Sequence, residues 1–162
     1  LGTPMTIQSD IYRQKIQALS PGTEVENLAC PKFVPLVESN NYQSSLAKKV
    51  VYETLRGMAG KVDTVVLGCT HYPFLVPVIE RLYGARLQVL EPSDAVARQL
   101  ERVLVENHLL TLPDEFVNRT FCSTGETGLL RTAVFRLLGY DVEVQQLSWR
   151  EGFLEPGGQD AE

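Results

Sequence analysis

Short apolar runs of strand length alternate along this chain with segments whose apolar residues recur at helical spacing. The pattern predicts helices over residues 7–19, 46–58, 74–83 and 129–138, and a further helix capped by Ser93 or Asp94. Between them, it predicts strands over residues 25–30, 62–68, 87–90, 120–124 and 142–147. Strands and helices that alternate at this pace form βαβ units. We therefore expect an α/β fold with open, mainly parallel sheets and helices on both faces.

The strand predicted over residues 62–68 is apolar almost throughout, which is typical of a strand buried on both faces of a parallel sheet. In such sheets the functional residues collect at the carboxyl ends of the strands, and Cys69 occupies that position. The segment Pro31–Glu38 is predicted to be a loop, because Pro31 and Pro35 disfavour a regular helix. Residues 151–162 are polar and hold Pro156-Gly157-Gly158, so we expect a disordered tail there.

Composition excludes several classes of protein. The net charge of -5 argues against a nucleic-acid partner, since such binding depends on clustered Lys and Arg. No apolar stretch approaches the roughly 20 residues that span a bilayer, so no membrane partner is expected. No signal peptide is recognisable, and cysteines at positions 30, 69 and 122 are too widely spaced for a disulfide framework. These features favour a cytoplasmic protein.

The segment Gly68-Cys69-Thr70-His71-Tyr72-Pro73 carries the strongest chemical signal. Gly68 permits a tight turn, Thr70 places a hydroxyl beside the sulfur of Cys69, and His71 can exchange protons with it. A metal site is disfavoured, because Cys-x-His supplies two ligands and no second pair stands at a useful spacing. Two other interpretations stay open: Cys69 as a packed small apolar residue, and His71 as a structural histidine bonded within the turn. For Cys30 and Cys122 a structural role is favoured, with Cys122 in the core.

Three segments resemble motifs of the glutamate racemases. Residues 68–73 match their Gly-Cys-Thr-His-Tyr-Pro motif, and Cys30–Glu38 match Cys-Pro-x-Phe-x-Pro-Leu-Val-Glu in full. Gly2, Thr3 and Thr6 match a Gly-Thr-x-x-Thr segment that opens a helix. The resemblance extends over residues 1 to 148. The related aspartate racemases usually carry Glu where His71 stands, so His71 favours glutamate as the substrate.

The resemblance implies a role for six residues. Cys69 would be one of two cysteine bases, facing the α-proton of L-glutamate, with His71 assisting it and Glu38 orienting His71. Thr70 would hold the substrate α-carboxylate, and Thr3 and Thr6 would line the end of the pocket that receives the side-chain carboxylate. For Glu38, the alternative is a solvated loop carboxylate. The implied reaction is the cofactor-independent interconversion of L- and D-glutamate, which supplies D-glutamate for peptidoglycan, with no metal and commonly in a homodimer.

The chain departs from the family in length and in its complement of cysteines. Family members have two pseudo-symmetric lobes and carry an Asp-Ser-Gly segment and a Cys-Asn-Thr segment with the first catalytic cysteine; neither is present here. The resemblance therefore implies an incomplete, C-terminal portion: residues 1–92 of the central lobe, with a first strand cut at residue 1, and residues 93–150 completing the other lobe. We expect this chain to be inactive alone. The alternatives are a one-cysteine relative, such as an aspartate racemase-like isomerase or a decarboxylase, and a non-catalytic binding module.

Overall fold

The computed structural model describes residues 1–111 and 118–157. The chain divides into two compact units, Leu1–Leu109 and Leu110–Glu162, which are described separately. The lobes expected over residues 1–92 and 93–150 stay a prediction, because they refer to the longer fold of the family. Helix α6 (Ser93–Glu106) follows the expected lobe boundary but belongs to the first compact unit.

The first unit is built on a small parallel sheet. Strands β1 (Thr64–Val66) and β2 (Gln88–Leu90) pair in parallel. Gly2 extends this sheet, since it forms one parallel bridge to Gly68 and another to Ala29. Four parallel segments thus lie side by side, in the order 28–30, 1–2, β1 and β2. The expected open parallel sheet is confirmed, although the strand predicted over 25–30 is reduced to the bridge at Ala29.

The first unit also contains six α-helices and two 3-10 turns. The helices are α1 (Pro4–Gln8), α2 (Ile11–Leu19), α3 (Phe33–Glu38), α4 (Ser45–Leu55), α5 (Val76–Tyr83) and α6, and the 3-10 turns span Tyr72–Leu75 and Gly84–Arg86. Helix α5 connects β1 to β2, which makes a βαβ unit. Helix α4 packs against both α3 and α5.

The core of the first unit lies where these helices meet the sheet. Helix α4 contributes Ala47, Val51 and Leu55, which recur every fourth residue and so share one face. In the sheet, Val65 is buried and the residues beside it in β1 are half-buried. The other buried apolar residues come mainly from α3, from the 3-10 turn after Cys69 and from α5: Phe33, Leu36, Val37, Tyr72, Leu75, Val78 and Ile79.

Two helix predictions in this unit need correction. The helix predicted over residues 7–19 is interrupted at Asp10, whose φ of 53° lies in the left-handed region and separates α1 from α2. The loop predicted over Pro31–Glu38 contains helix α3. Pro35 is tolerated because it is the third residue of α3, where the backbone N–H of a helix has no intrahelical partner.

The second unit is a three-stranded sheet with one helix. Strands β3 (Phe121–Ser123) and β4 (Val144–Arg150) are parallel and are connected by α7 (Thr127–Leu138), which gives a second βαβ unit. Helix α7 ends at Gly139, whose φ of 76° is typical of a left-handed glycine C-cap. Strand β5 (Phe153–Pro156) adds to β4 in the antiparallel direction.

The segment after residue 150 differs from the sequence-based expectation of a disordered tail. Glu151 and Gly152 have φ values of 48° and 86° and form the two-residue turn of a β-hairpin, so that β5 pairs with β4 along its whole length. Pro156-Gly157-Gly158 favours an unstructured end in the sequence, but the hairpin turn lies before it, at Glu151 and Gly152. Residues 158–162 of the expected tail lie outside the described residues.

Candidate active site

Three neighbouring segments of the parallel sheet end at the same edge. Gly2 accepts a hydrogen bond from the backbone N–H of Cys30 at 2.9 Å, and the N–H of Gly68 donates to the carbonyl of Leu1 at 2.8 Å. Because the segments run in parallel, the residues that follow these bridges, Cys30, Thr3 and Cys69, leave the sheet at its carboxyl edge. This edge is where α/β proteins place their ligands.

Gly68 makes the turn into Cys69 possible. A Cβ atom at this position would lie 2.9 Å from the carbonyl oxygen of Leu1 and 2.9 Å from Cε2 of Tyr12, which is closer than carbon atoms can pack. The sheet and helix α2 therefore approach the backbone at a point that only glycine fits. Beyond Gly68, the N–H of Tyr72 donates to the carbonyl of Cys69 at 3.1 Å and starts the 3-10 turn.

Cys69, His71 and Glu38 form a chain of polar side chains. The sulfur of Cys69 lies 4.0 Å from Nδ1 of His71, at the limit of a hydrogen bond to sulfur. The other ring nitrogen of His71, Nε2, lies 3.3 Å from Oε1 of Glu38. The side chain of His71 is 32% exposed and that of Glu38 is 63% exposed, so water screens their interaction. At these exposures the contact contributes little to the stability of the fold.

Thr3 and Thr6 lie at the start of helix α1 and contact each other. The two hydroxyl oxygens are 2.9 Å apart, and Oγ1 of Thr3 accepts a hydrogen bond of 3.3 Å from the N–H of Thr6, which makes Thr3 the N-cap of α1. Both residues are half-buried. Since Thr3 follows Gly2, which pairs with Gly68, these two residues lie on the segment next to the one that carries Cys69, at the same edge of the sheet.

Comparison with known proteins shows close sequence relatives. No family model matches the chain. A glutamate racemase of Streptococcus suis is 48% identical over 148 residues, which are 91% of this chain and 56% of the relative. A glutamate racemase of Streptococcus sanguinis is 60% identical over 104 residues, covering 64% of this chain and 39% of the relative. The chain is a homologue of the glutamate racemases. It spans about half the length of the curated relatives that it matches.

Solved structures of glutamate racemases share the fold. One from Bacillus anthracis superposes with a TM-score of 0.81 at 27% identity, over 93% of this chain and 56% of that one. Another, from Francisella tularensis in complex with D-glutamate, gives a TM-score of 0.80 at 26% identity, over 91% of this chain and 57% of that one. The α/β fold predicted from the sequence is thus confirmed by the glutamate racemase structures.

The residues predicted from the glutamate racemase motifs are partly brought together. The structure connects Cys69, His71 and Glu38, and it pairs Thr3 with Thr6. Thr70 lies exposed in the turn between Cys69 and His71. The side chain of Glu38, at the end of α3, is mostly exposed, as a solvated carboxylate would be, but it contacts His71.

The two other cysteines differ from each other in their environment. Cys30 is 1% exposed, and burial, with a smaller contribution from the nearby Cys69, raises its pKa to about 11 despite the opposing effects of the N-terminal amine and of a hydrogen bond from the backbone of Gly2. A thiol of this kind is inert at neutral pH, which agrees with the structural role expected. Cys122 was expected in the core, but it is exposed: β3 is only three residues long, and its middle position, Cys122, faces solvent while the two flanking residues are half-buried.

Tyr72 has no role predicted from the sequence, and the structure buries it against Cys30, next to the turn that carries Cys69. Its side chain is fully buried, and its hydroxyl donates to the carbonyl oxygen of Cys30 at 3.2 Å. Burial, followed by the proximity of Cys30 and Cys69, raises the pKa of Tyr72, so the hydroxyl stays a proton donor. The signal available in the sequence was its position, directly after His71 and before Pro73.

Two further properties of the described residues bear on the site. Among residues 1–111 and 118–157, no group of three or more His, Cys, Asp or Glu side chains is arranged to hold a metal ion. In the same part of the chain, every helix is too short or too polar to cross a membrane.

Proposed function

We propose that this chain supplies one half of the active site of a glutamate racemase and carries one of its two cysteine bases, Cys69. The observation that carries the proposal is the chain of side chains from Cys69 through His71 to Glu38, at the carboxyl edge of the parallel sheet. The identity with glutamate racemases over most of the chain supports the choice of substrate. The second base would be contributed by sequence beyond these 162 residues.

The reaction proposed for Cys69 is a proton transfer at the α-carbon of glutamate. The thiolate of Cys69 removes the α-proton of L-glutamate and becomes a thiol, while the electron pair of the broken C–H bond stays on the α-carbon. A second thiol, on the opposite face, then donates its proton to that carbon and yields D-glutamate. In the reverse direction the two sulfurs exchange roles, so each catalytic cycle conserves one proton on the pair of cysteines.

His71 and Glu38 would prepare Cys69 for this transfer. With Nδ1 of His71 facing the sulfur at 4.0 Å, the imidazole can take the thiol proton or stabilise the thiolate. Glu38, at 3.3 Å from Nε2, would fix the orientation of the ring. The 32% exposure of His71 leaves room for a substrate to approach the same edge.

The three threonines would bind the two carboxylates of the substrate. Thr70 follows Cys69 directly and is exposed, so its hydroxyl and its N–H can reach the α-carboxylate of a glutamate whose α-carbon lies at the sulfur. The paired hydroxyls of Thr3 and Thr6 lie on the neighbouring segment and would receive the side-chain carboxylate. We propose that the reaction uses no cofactor and, by the same family resemblance, that the complete enzyme is a cytoplasmic homodimer that supplies D-glutamate for peptidoglycan.

Exchange of the α-proton in deuterated water tests the proposal directly. The complete protein, including the sequence that precedes these residues, is incubated with L- or D-glutamate, and loss of the α-proton signal is followed by NMR. We expect exchange from both enantiomers, and the Cys69→Ser variant should lower the exchange of L-glutamate by about 10²-fold or more, because it loses its base. The 162-residue chain alone should show no exchange.

The matched control is Cys122→Ser, which changes an exposed thiol in the second compact unit and should leave the exchange rate unchanged. If the complete protein exchanges no α-proton from either enantiomer, or if Cys69→Ser exchanges as fast as the parent, the proposal is wrong. A one-cysteine isomerase or a decarboxylase would instead act on another substrate through Cys69 without a partner base.

A further inference from the structure

We propose that Tyr72 is a positioning residue, which holds Glu38 within reach of His71 through the hydrogen bond from its hydroxyl to the carbonyl oxygen of Cys30. This inference rests on the proposed function only for the effect of the Glu38–His71 contact on catalysis. The contacts of Tyr72 themselves involve no substrate. Tyr72 is not the base, and it is not one of the residues expected to contact glutamate.

Tyr72 connects two segments that are far apart in the sequence. Its backbone N–H donates to the carbonyl of Cys69 at 3.1 Å, which fixes it to the turn that carries His71. Its hydroxyl donates to the carbonyl of Cys30 at 3.2 Å, across a sequence separation of 42 residues. One side chain thus joins the turn after β1 to the segment that leads into helix α3.

The second segment determines where Glu38 lies. The carbonyl of Cys30 also accepts the N–H of Phe33, the first residue of α3, at 3.1 Å. The ring of Phe33 meets that of Tyr72 edge to face, with centroids 5.2 Å apart and planes at 75°. Helix α3 is only six residues long, and Leu36 and Val37 are buried, so fixing its first residue also fixes Glu38 at its end.

The hydroxyl of Tyr72 is the group that distinguishes a positioning role from simple core packing. Phenylalanine would fill the same fully buried position and would need no hydrogen-bond partner, whereas a buried hydroxyl is tolerated only when it is bonded. The carbonyl oxygen of Cys30 has two lone pairs and accepts from both the Phe33 N–H and the Tyr72 hydroxyl, so the bond that satisfies the hydroxyl also joins the two segments. The bond does set the distance between the two segments that carry His71 and Glu38, whose side chains meet at 3.3 Å.

A double-mutant cycle of Glu38 and Tyr72 tests the positioning role without substrate, with the rate of Cys69 alkylation as the readout. In a Cys122→Ser background, Cys69 is the accessible thiol, because Cys30 is buried. The rate of alkylation by iodoacetamide at pH 7 is measured for the background, for Glu38→Gln, for Tyr72→Phe and for the double variant. We expect Glu38→Gln to change the rate about threefold when Tyr72 is intact and by less than about 1.5-fold in the Tyr72→Phe background, since neighbours that act together are not additive.

Tyr42→Phe is the matched control. The ring of Tyr42 packs on Phe74 with centroids 5.8 Å apart, in the same unit, and Tyr42→Phe removes a hydroxyl while keeping that ring packing. This variant should leave the effect of Glu38→Gln at its full size. Tyr72→Phe is expected to fold, because the ring packing and the Phe33 hydrogen bond remain. Phe33→Leu tests the same connection in a second way. It keeps the Tyr72 hydroxyl but weakens the packing at the start of α3, so it should also reduce the effect of Glu38→Gln on the alkylation rate.

The proposal is overturned if Glu38→Gln has the same effect with and without the Tyr72 hydroxyl, if it has no effect in the background, or if Tyr42→Phe abolishes the effect equally. Failure of the proposed racemase activity gives a different result, namely no α-proton exchange in the complete protein while the alkylation cycle still shows coupling. Coupling between Tyr72 and Glu38 in the alkylation rate, in a protein that exchanges no α-proton, would therefore support the positioning role of Tyr72 and contradict the proposed reaction.

Discussion

At the scale of single residues, the close approach at Gly68 determines how β1 leads into Cys69. The carbonyl of Leu1 and the ring of Tyr12 occupy the space where a side chain would stand. Cys69 itself could be identified from the sequence because it follows an apolar strand and precedes His71. The contacts of Tyr12 could not, since they depend on the break at Asp10 that sets the direction of α2.

Gly68→Ala is expected to destabilise the chain by about 1–3 kcal/mol, because the added methyl group overlaps the Leu1 carbonyl and the Tyr12 ring. Urea unfolding followed by circular dichroism measures the effect. Gly57→Ala is the control: a Cβ there meets nothing within 4 Å, so its free energy of unfolding should be unchanged or rise by up to about 1 kcal/mol. Equal effects of the two substitutions would contradict the packing seen at Gly68.

Cys30 is expected to make stability depend on alkaline pH. Its folded pKa, about 11, lies above the ordinary value of 9.0, mainly because of burial. The folded state therefore holds the proton more tightly, and this contribution is complete below pH 9.0 and is lost as pH rises towards about 11. The loss is of the order of 2–3 kcal/mol by linkage, since each pKa unit corresponds to about 1.4 kcal/mol.

Comparison with Cys30→Ala isolates this contribution. The free energy of unfolding of both proteins is measured at pH 8 and at pH 10.5, and the parent should lose more stability than the variant between the two. Parallel losses would show that other groups, and not the Cys30 thiol, are responsible.

At the scale of elements, the sequence predicted the order of the strands and helices better than their ends. The strands around residues 62–68 and 142–147 and the helices α4 and α7 were predicted correctly, because apolar spacing within each segment is a local property. Helix α3 was missed because Pro35 was judged without its position in the first turn. The N-terminus of α6 was also misjudged: Glu91, outside the helix, accepts the N–H of Ser93 at 2.8 Å in place of a cap by Ser93 or Asp94.

The N-cap of helix α4 is expected to contribute measurably to stability. Oγ of Ser44 accepts the N–H of Ala47 at 3.2 Å, at the start of the helix that forms the centre of the core. Ser44→Ala should therefore lower the free energy of unfolding by about 1 kcal/mol. Ser45→Ala, at the exposed first residue of the same helix, should change it by less than about 0.5 kcal/mol. Chemical denaturation of both variants distinguishes the loss of the Ser44 cap from the general preference of helices for alanine.

At the scale of the whole molecule, many large apolar side chains of the described residues are exposed to solvent. Helix α6 has strong helical periodicity, as the sequence predicted, yet Val96, Leu100 and Val103 are 63%, 56% and 40% exposed. Periodicity shows that a helix has an apolar face but does not show what covers that face. An open apolar stripe of this kind favours self-association.

Leu100→Lys is expected to reduce self-association of the 162-residue chain, measured by light scattering as a function of concentration, and to change the free energy of unfolding by less than about 0.5 kcal/mol. The small effect on stability follows from the exposure of Leu100. Gln99→Lys adds the same charge to α6 but keeps the apolar stripe, so association should persist. If Gln99→Lys disperses the chain equally well, net charge and not the stripe governs association.

The placement of Gly2 between two other segments also constrains the order of folding. The amine of Leu1 donates to the carbonyl of Val66 at 2.8 Å, across a sequence separation of 65 residues, and Gly2 pairs on its other side with the segment around Ala29. Contacts between residues so distant along the chain raise the contact order and slow folding. During synthesis on the ribosome, residues 1 and 2 must wait for the segment up to Gly68 to emerge before the edge that carries Thr3 and Cys69 can form.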